Sequence, residues 1–555
     1  MLRSRFGESL SHLKLLTSKI KPFYKYGRRN IPRLVAITLL GTNALTASFS
    51  RPPALCKELS APFAPTPSHK SIKKRQRAFW RRLRRKIKVW VEMLIRSIYL
   101  SLIFAPAAIT LPFAVVQGLD KEKGGKGDWW WDWLRECVRQ SGPCNIKFSQ
   151  WLSQRPDLFP LLLCDQLRDL QVNASTHSIK HSLRALEKAF GGKWSETITL
   201  ARNEHDEPVI IGSGCIAQVF RGRLKKQKKG GGEEEHDVAV KVVHPRAAKS
   251  IAADTNIMLA LARLIELLPG TDSLSLHESV QEFTKLMLSQ LDLRNEAKSL
   301  KEFRKNFAIS TSAADGNNQY RRRVRFPGPL AVSKSVLVET FEEGETIAEA
   351  MKTIESDHEV RSGLAQVLLD AILKMTFEDN YIHADLHSGN IIVRGLRNGN
   401  VGESGGITLS LIDTGLVAAL GVVERRDFLD LFRAVVQNQG ALAGRLMIER
   451  NKHPRNETMP RETRAAFEGE VAALVQEVHS SGLSLGRIGV AALLQKLLVA
   501  CYRHQVKLES KFVSTILAIG VVEGLGRRLD PDVDVLQKAA PYIVRASLSS
   551  LSSNT

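Results

Sequence analysis

The stretch YIHADLHSGNIIV, residues 381–393, decides the reading of this chain. It sets Asp385 five residues before Asn390, and a second acidic stretch, LIDTG at 411–415, follows with Asp413. An Asp, an Asn five residues on and then an Asp-x-Gly are the parts of a kinase-type phosphoryl-transfer site. Asp385 is thus the candidate catalytic carboxylate, orienting the attacking group. Asn390 and Asp413 are the candidate ligands of Mg2+, a hard cation that takes an amide and a carboxylate oxygen beside substrate phosphates. Ala384 replaces the Arg of the usual His-Arg-Asp triplet, so ATP is expected as cofactor without the form of an ordinary protein kinase. His383 and His387 have the i, i+4 spacing of a zinc pair, but Ala384 stands where H-E-x-x-H needs Glu, and no zinc is expected.

Upstream, Gly212-Ser213-Gly214-Cys215-Ile216-Ala217-Gln218-Val219 matches G-x-G-x-x-G-x-V with Ala at the third glycine. Glycines let backbone approach phosphate oxygens. An ordinary β-turn explains such a match as well, but Lys241 in VAVKVV lies 22 residues past Val219. On a strand that apolar, a lysine is buried and needs a carboxylate partner. The run SQLDLRNEAKS offers Gln290, Asp292 and Glu296 on one predicted helix, with Asp292 and Glu296 four apart and on one face. Glu339, in VLVETFEEG, falls in the strand between lobes, where backbone groups hold adenine. All of these are candidate ATP-site residues.

After Asp413 the chain runs LVAALGVVERRDFLDLF, with no long activation segment and no Ala-Pro-Glu. Those elements build the peptide platform of protein kinases. Three functions stay open: an atypical kinase or ATPase acting on a small molecule, a non-catalytic nucleotide-gated scaffold, and a protein serine/threonine kinase, which the loop glycines favour.

The chain has 555 residues and a formal charge of +23. Residues 1–125 hold 25 Lys/Arg against 5 acids, and the remainder 55 against 52. The basic character belongs to the N-terminal region, so no nucleic acid partner is expected for the body. Six irregularly spaced cysteines without a C-x-x-C pair read as reduced thiols. Residues 1–57 carry eleven basic residues and one acid, Glu8, the composition of an organelle transit segment, mitochondrial first and plastid second. A disordered basic tail is the plainer reading of that segment. Ten basic residues between Lys73 and Lys88 precede an apolar stretch, residues 97–116. That pairing suits an anionic membrane surface or a lipid. A helix buried on the body is the alternative, and Pro106 and Pro112 argue against one clean membrane-crossing helix. The cluster Trp129, Trp130, Trp131 and Trp133 reads as packing or interfacial anchoring.

The pattern divides the chain into a transit-like segment (1–57), a basic and apolar membrane-proximal segment with a Gly-rich linker (58–128), a helical extension (129–205), a mixed lobe (206–345) and a mostly helical lobe (346–550). The lysines and glutamates of KKQKKGGGEEEHD read as a solvated hairpin loop between two strands. The fold class is α+β: an atypical bilobal protein kinase-like fold with a helical N-terminal extension.

IKFSQWLSQRPDLFP, GSGCIAQVFRG, VAVKVVHP, QLDLRNEA, HADLHSGNIIV, LIDTGL and EGLGRRLDPD stand in this order along residues 129–545. Together they resemble the UbiB family, also called aarF-domain-containing (ADCK) atypical kinases. The resemblance implies that Lys147-Phe148-Ser149-Gln150 corresponds to a Lys-x-Gly-Gln motif whose helix covers the cleft, with Ser149 replacing Gly. Gln290-Leu291-Asp292 corresponds to a Glu-x-Asp motif that contacts the cover, with Gln replacing Glu, so Lys147, Gln150, Gln290 and Asp292 are candidate regulatory residues. Glu296 looks like the partner of Lys241. Gly212 and Gly214 stand in a loop that is usually Ala-rich in the family, and Ser388 replaces the usual Pro. The resemblance further implies Mg-ATP, a membrane or lipid/quinone partner with quinone-biosynthesis proteins, and a role in mitochondrial coenzyme Q (prenyl-quinone) biosynthesis or lipid homeostasis at the inner membrane.

Overall fold

The run VAVKVV becomes the centre of a sheet because its side chains alternate. Val238, Val240 and Val242 are fully buried on one face, while Ala239 and Lys241 point to the other. In the computed structural model of the chain the described residues are 69–118, 127, 129–153, 161–168, 176–227, 233–245, 247–267, 276–308, 324–355, 357–397, 400–401, 407–450, 454–480, 490–506, 526, 529–530, 538–539 and 541–546. The transit-like segment, most of the Gly-rich linker, the RPDLFP stretch, residues 228–232 of the hairpin and most of EGLGRRLDPD lie outside them. The chain divides into units 1–82 and 83–555. The first contributes residues 69–82, the opening turns of helix α1; the rest concerns the second.

Helix α1 (His69–Gln117) is unbroken through Pro106 and Pro112, against the expectation that two prolines would interrupt it. Side chains also bond carbonyls in this stretch: the Thr110 hydroxyl bonds Pro106 O at 2.7 Å, Trp130 Nε1 bonds Ala107 O at 2.8 Å, and the Cys137 thiol bonds Ile103 O at 3.2 Å. Its segment Trp90–Gln117 has a mean hydropathy of 2.0, is long and apolar enough to cross a membrane, and is only 11% buried. A helix buried on the body is therefore not what forms. One side packs on α2 (Trp129–Ser141), where Trp130 and Trp131 are buried and Trp133 is 49% exposed. Helices α3 (Pro143–Ser153), α4 (Leu161–Arg168) and α5 (Ile179–Phe190) complete the extension.

The first sheet holds β1 (Ile198–Leu200), β2 (Ile210–Ser213), β3 (Ala217–Gln227) and β4 (Glu233–Val243), with β6 (Pro329–Val332) and β7 (Val336–Thr340) added later in the chain. The order is β1-β3-β4-β7-β6, β2 lying on β3, and every pairing is antiparallel. The expected hairpin loop is shorter than its composition implies. Lys225 pairs with Glu235 and Lys226 with Glu234 in the ladder, so opposite charges extend the strands.

Helices α6 (Ala247–Glu266), α7 (Leu276–Ser289) and α8 (Leu293–Asn306) separate β4 from β5 (Val324–Arg325). After β7, Gly344 takes φ +144°, and a Cβ there would meet the Val393 carbonyl at 2.3 Å, so the crossing requires glycine. The second lobe follows: β8 (Glu345–Thr346), α9 (Ile347–Thr353), α10 (His358–Leu373), β9 (Ile382–His383), β10 (Ile391–Arg394), β11 (Thr408–Leu411) and β12 (Val417–Ala418). It ends in α11 (Val422–Val436), α12 (Gly440–Glu449), α13 (Arg461–Ser480) and α14 (Val490–Arg503). Strands β5, β11, β10 and β8 form its sheet, over a core shared by α8 and α10 that includes Leu300, Phe303, Leu368 and Phe377.

Candidate active site

Pairing of β9 with β12 and of β10 with β11 lays the two decisive motifs side by side. His383 faces Val417 and Ile391 faces Leu411. The link is tightened by Ala384 N–H on Leu416 O and Ile412 N–H on Asn390 O, both 3.0 Å. His383 is 1% exposed and bridges both motifs. Its Nε2 donates to Ile412 O at 3.1 Å, so Nδ1 is the acceptor for the Asp385 N–H at 3.3 Å. Burial holds its pKa below the ordinary value, outweighing the raising effects of the Ile412 carbonyl and of Asp385 and Asp413, which keeps that tautomer neutral.

Asn390 is 6% exposed and donates its amide Nδ2 to Asp385 O at 2.9 Å, which leaves Oδ1 as its free acceptor. Asp413 takes the left-handed φ of +54°, a strained conformation for a non-glycine residue, and its carboxyl is 46% exposed. Lys241 Nζ donates to Asp413 Oδ1 and to Glu296 Oε1, each at 2.7 Å. Burial alone would lower the lysine pKa, but the carboxylates of Asp413 and Glu296 reverse that and hold it charged. Burial pushes Glu296 up to about 7 against the pull of Lys241, while at the half-exposed Asp413 the partial desolvation is outweighed by Lys241, which holds its pKa low.

One expectation is corrected here. Asp292 and Glu296 do not share a face. Asp292 is the N-cap of α8, accepting the Arg294 N–H at 3.2 Å and pairing with its guanidinium at 2.6 Å. Glu296, one turn in, is 4% exposed and turns to Lys241. N-capping takes the residue out of the helix, so i, i+4 spacing no longer means one face. Gln290 lies before that cap; its Nε2 would stand 3.6 Å from a Cβ on Gly415, beside Asp413.

From the extension, Lys147 on α3 reaches Asp385 Oδ2 at 2.7 Å. Burial would lower its pKa and Asp385 raises it further than that. The helix is anchored by Phe148 and Trp151 packed on Phe283 of α7, with Ser149 buried where the family pattern has Gly. Gln150 is half-buried on the same helix.

Gly212 and Ser213 end β2, Gly214, Cys215 and Ile216 form the turn, and Ala217, Gln218 and Val219 open β3. A Cβ on Gly212 would meet nothing within 4 Å, so the loop has open space beside it. Gln218 departs from its expected place. Its side chain accepts the His177 N–H at 2.8 Å, on the side of the sheet away from the cleft. Burial pushes the Cys215 thiol up to about 11, so it is no thiolate nucleophile.

Sequence reasoning missed a histidine bracket behind this loop. His244 Nε2 donates to Gly214 O at 2.8 Å, and its Nδ1 lies 2.7 Å from His177 Nδ1. A carbonyl only accepts, so His244 Nδ1 is the acceptor of the His177 Nδ1 proton, and His177 Nε2 accepts from the Ser182 hydroxyl at 2.7 Å. No spacing in the sequence connects residues 177 and 244.

Fit to Mg-ATP is tested by orphaned buried atoms. Ser213 Oγ, Gln290 Oε1 and Glu339 Oε2 are buried without hydrogen-bond partners, and all three belong to the segments around Lys241 and Asp413. With a charged lysine, the half-exposed Asp413 carboxyl, the free Oδ1 of Asn390 and open space at the glycine loop, the residues fit a nucleotide phosphate and its magnesium.

A five-stranded antiparallel path with an edge partner, a lysine–glutamate pair across sheet and helix, and paired HAD and IDTG segments define an atypical protein kinase-like fold. Residues 169–444 match the ABC1 atypical kinase-like domain and residues 474–534 the UbiB helical domain. "Probable serine/threonine-protein kinase abkC" of Dictyostelium discoideum is 31% identical over 83% of this chain and 70% of its own length. A mitochondrial ABC1 family protein of Schizosaccharomyces pombe is 31% identical over 84% of this chain and 73% of its own. "Probable protein kinase UbiB" of Vibrio atlanticus is 28% identical over 76% and 70%. The chain belongs to the ABC1/UbiB atypical kinase family.

Proposed function

We propose that this chain is a membrane-associated mitochondrial ATPase or atypical kinase that binds Mg-ATP and supports prenyl-quinone biosynthesis or lipid homeostasis. One observation carries the nucleotide reading: Lys241 holds Glu296 and Asp413 together at 2.7 Å each, beside Asp385 and Asn390. Lys241, fixed by Glu296, presents a charged ammonium to the α- and β-phosphates. Asp413 and the free Oδ1 of Asn390 are the oxygens that would hold Mg2+, which supplies charge neutralisation on the transferred phosphate. Asp385, its backbone fixed by His383 and Asn390, orients the attacking hydroxyl or water. Glycines 212 and 214 let the loop close over the phosphates.

A small acceptor or water is supported by the chain after Asp413. Strand β12 starts at Val417 and α11 at Val422, which leaves no room for a peptide platform. Membrane association is supported by the exposed apolar side of α1, and a mitochondrial setting by the Schizosaccharomyces pombe relative and the basic N-terminal composition. The quinone or lipid pathway rests on the resemblance to the family.

The test is phosphate release from ATP by the purified chain in lipid vesicles, with Asp413→Asn and Lys241→Ala as controls. Turnover in the wild type alone is expected. Equal background in all three sinks the catalytic reading. A second reading, a nucleotide-gated scaffold, is favoured by Lys147, whose ion pair occupies Asp385. Under it, Mg-ATP raises the melting temperature without turnover.

A further inference from the structure

Glu339 is the one carboxyl of the site that the proposed chemistry leaves without a task. In the antiparallel ladder Glu339 faces Ala239, and Leu337 faces Lys241. Residues opposite each other share a face of the sheet, so Glu339 lies on the face of Lys241. Val336 and Val338 point the other way, into the apolar core behind the sheet. Glu339 is the penultimate residue of β7, just before the chain crosses to the second lobe, where the nucleobase sits in the reading above. It is 7% exposed and its Oε2 has no hydrogen-bond partner.

The charged groups that face it are Glu296 of α8, Lys241 of β4, Asp413 after β11 and Glu342 just past β7. Lys241 is already bound to Glu296 and Asp413, so among the described residues no other cation faces Glu339. An ionised carboxylate here would be a buried, unpaired charge. Burial first, and then the nearby Glu296, push the carboxyl up to about 8, which leaves it mostly neutral at pH 7. A neutral carboxyl both donates and accepts one hydrogen bond at adjacent atoms.

We infer that Glu339 reads the nucleobase, its carboxyl taking the outer edge of adenine by accepting from the N6 amino group and donating to N7. Adenine offers one donor and one acceptor there. Guanine offers two acceptors, N7 and O6, so it leaves the carboxyl's acceptor oxygen without a partner. A partner missing at a buried polar group is what makes hydrogen-bonding sites selective. The inference rests on the nucleotide-binding reading and adds to it the side chain that selects ATP over GTP.

The experiment measures equilibrium binding of Mg-ATP, Mg-GTP and magnesium 7-deaza-ATP, whose N7 is a CH, to the full-length purified chain. Wild type, Glu339→Gln and Glu339→Met are compared. Wild type should prefer ATP to each analogue by about tenfold, the lower end for a bidentate contact. Glu339→Gln keeps a donor and an acceptor and should retain the preference for ATP over GTP. Glu339→Met should bind all three within a factor of roughly two, with an unchanged or higher melting temperature, since it removes a partnerless buried carboxyl. Retention of the wild-type preference by Glu339→Met overturns the inference, as does a wild type that binds ATP and its analogues alike. Either result leaves the nucleotide site standing. Failure of the wild type to bind any nucleotide overturns both.

Discussion

Lowering the pH from 7.5 to 5 should cost the fold stability, because the histidine bracket behind the glycine loop holds His177 neutral. His177 donates Nδ1–H to His244, which holds Gly214 O, and burial followed by the proximity of His244 and His181 brings the His177 pKa down to about 4 from an ordinary 6.5. A group with a lowered folded pKa binds protons better once unfolded. Its stabilisation is complete above about pH 6.5 and is lost as pH falls toward 4. Linkage between those two values gives a loss of about 2 kcal/mol on going from pH 7.5 to 5, and screening at this partly exposed ring reduces it to roughly 1 kcal/mol. The assay is urea unfolding at both pH values for wild type and His177→Asn. The Asn amide donates from nearly the position of Nδ1 and cannot take a proton. Groups that do not touch His177 cancel in the comparison, and His244 keeps a neutral donor to its Nδ1 in the variant, so the wild type should lose about 1 kcal/mol more than the variant. Equal losses in both proteins would refute the argument that His177 is held neutral.

Arg96 of α1 pairs with Asp254 of α6 at 2.6 Å, and the Asp254 carboxyl is fully buried. Arg96→Met should cost about 3–5 kcal/mol by stranding that charge, and Arg96→Met/Asp254→Leu should recover at least half of it, read from melting temperatures. Gly344→Ala places a Cβ 2.3 Å from Val393 O at a positive φ and should lower stability by about 1–3 kcal/mol in denaturant unfolding. Conversion of Lys241 to alanine should abolish nucleotide-dependent thermal stabilisation, because Glu296 and Asp413 then face the phosphates with no cation between them.

The grouping of the central residues was legible because their spacing is local. The five-residue spacing of Asp385 and Asn390 and the VAVKVV strand carry their geometry within a few residues. The pairing of Lys241 with Glu296 was legible as a need, since a buried lysine requires a partner, but the choice of Glu296 over Asp292 came from the family resemblance and not from the spacing. Capping decides it, and a cap is a property of where the helix begins, which periodicity locates only to within a turn. The unbroken α1 was misread for a related reason. Proline's cost is counted against a lone helix, whereas α1 is held by packing on the next helix, whose Trp130 and Cys137 bond its Ala107 and Ile103 carbonyls. The histidine bracket joins the segment just before α5 to the residue just past β4, 67 residues on, a contact that only the tertiary fold creates.

The extension belongs to the site, and the charges show why. Two of the three groups proposed for catalysis carry a cation of their own: Asp413 has Lys241, and Asp385 has Lys147. The two lysines differ in what holds them. Lys241 keeps Glu296 as a second partner, so it stays fixed if Asp413 turns to a metal. Lys147 has Asp385 at 2.7 Å, and its ammonium sits where the attacking group must be oriented. Withdrawal of that ammonium costs a partly buried, charge-assisted hydrogen bond, about 1.5–3 kcal/mol. A conformational change of that size is within reach of ligand binding, which shifts populations by its differential affinity for the two states. Since Lys147 rides on α3, whose Phe148 and Trp151 are packed on Phe283 of α7, a shift of α3 that freed Asp385 would press on the helix that leads into the Glu296 segment. Under the proposed function, release of Asp385 and adjustment of the lysine–glutamate pair would then be coupled through α3 and α7.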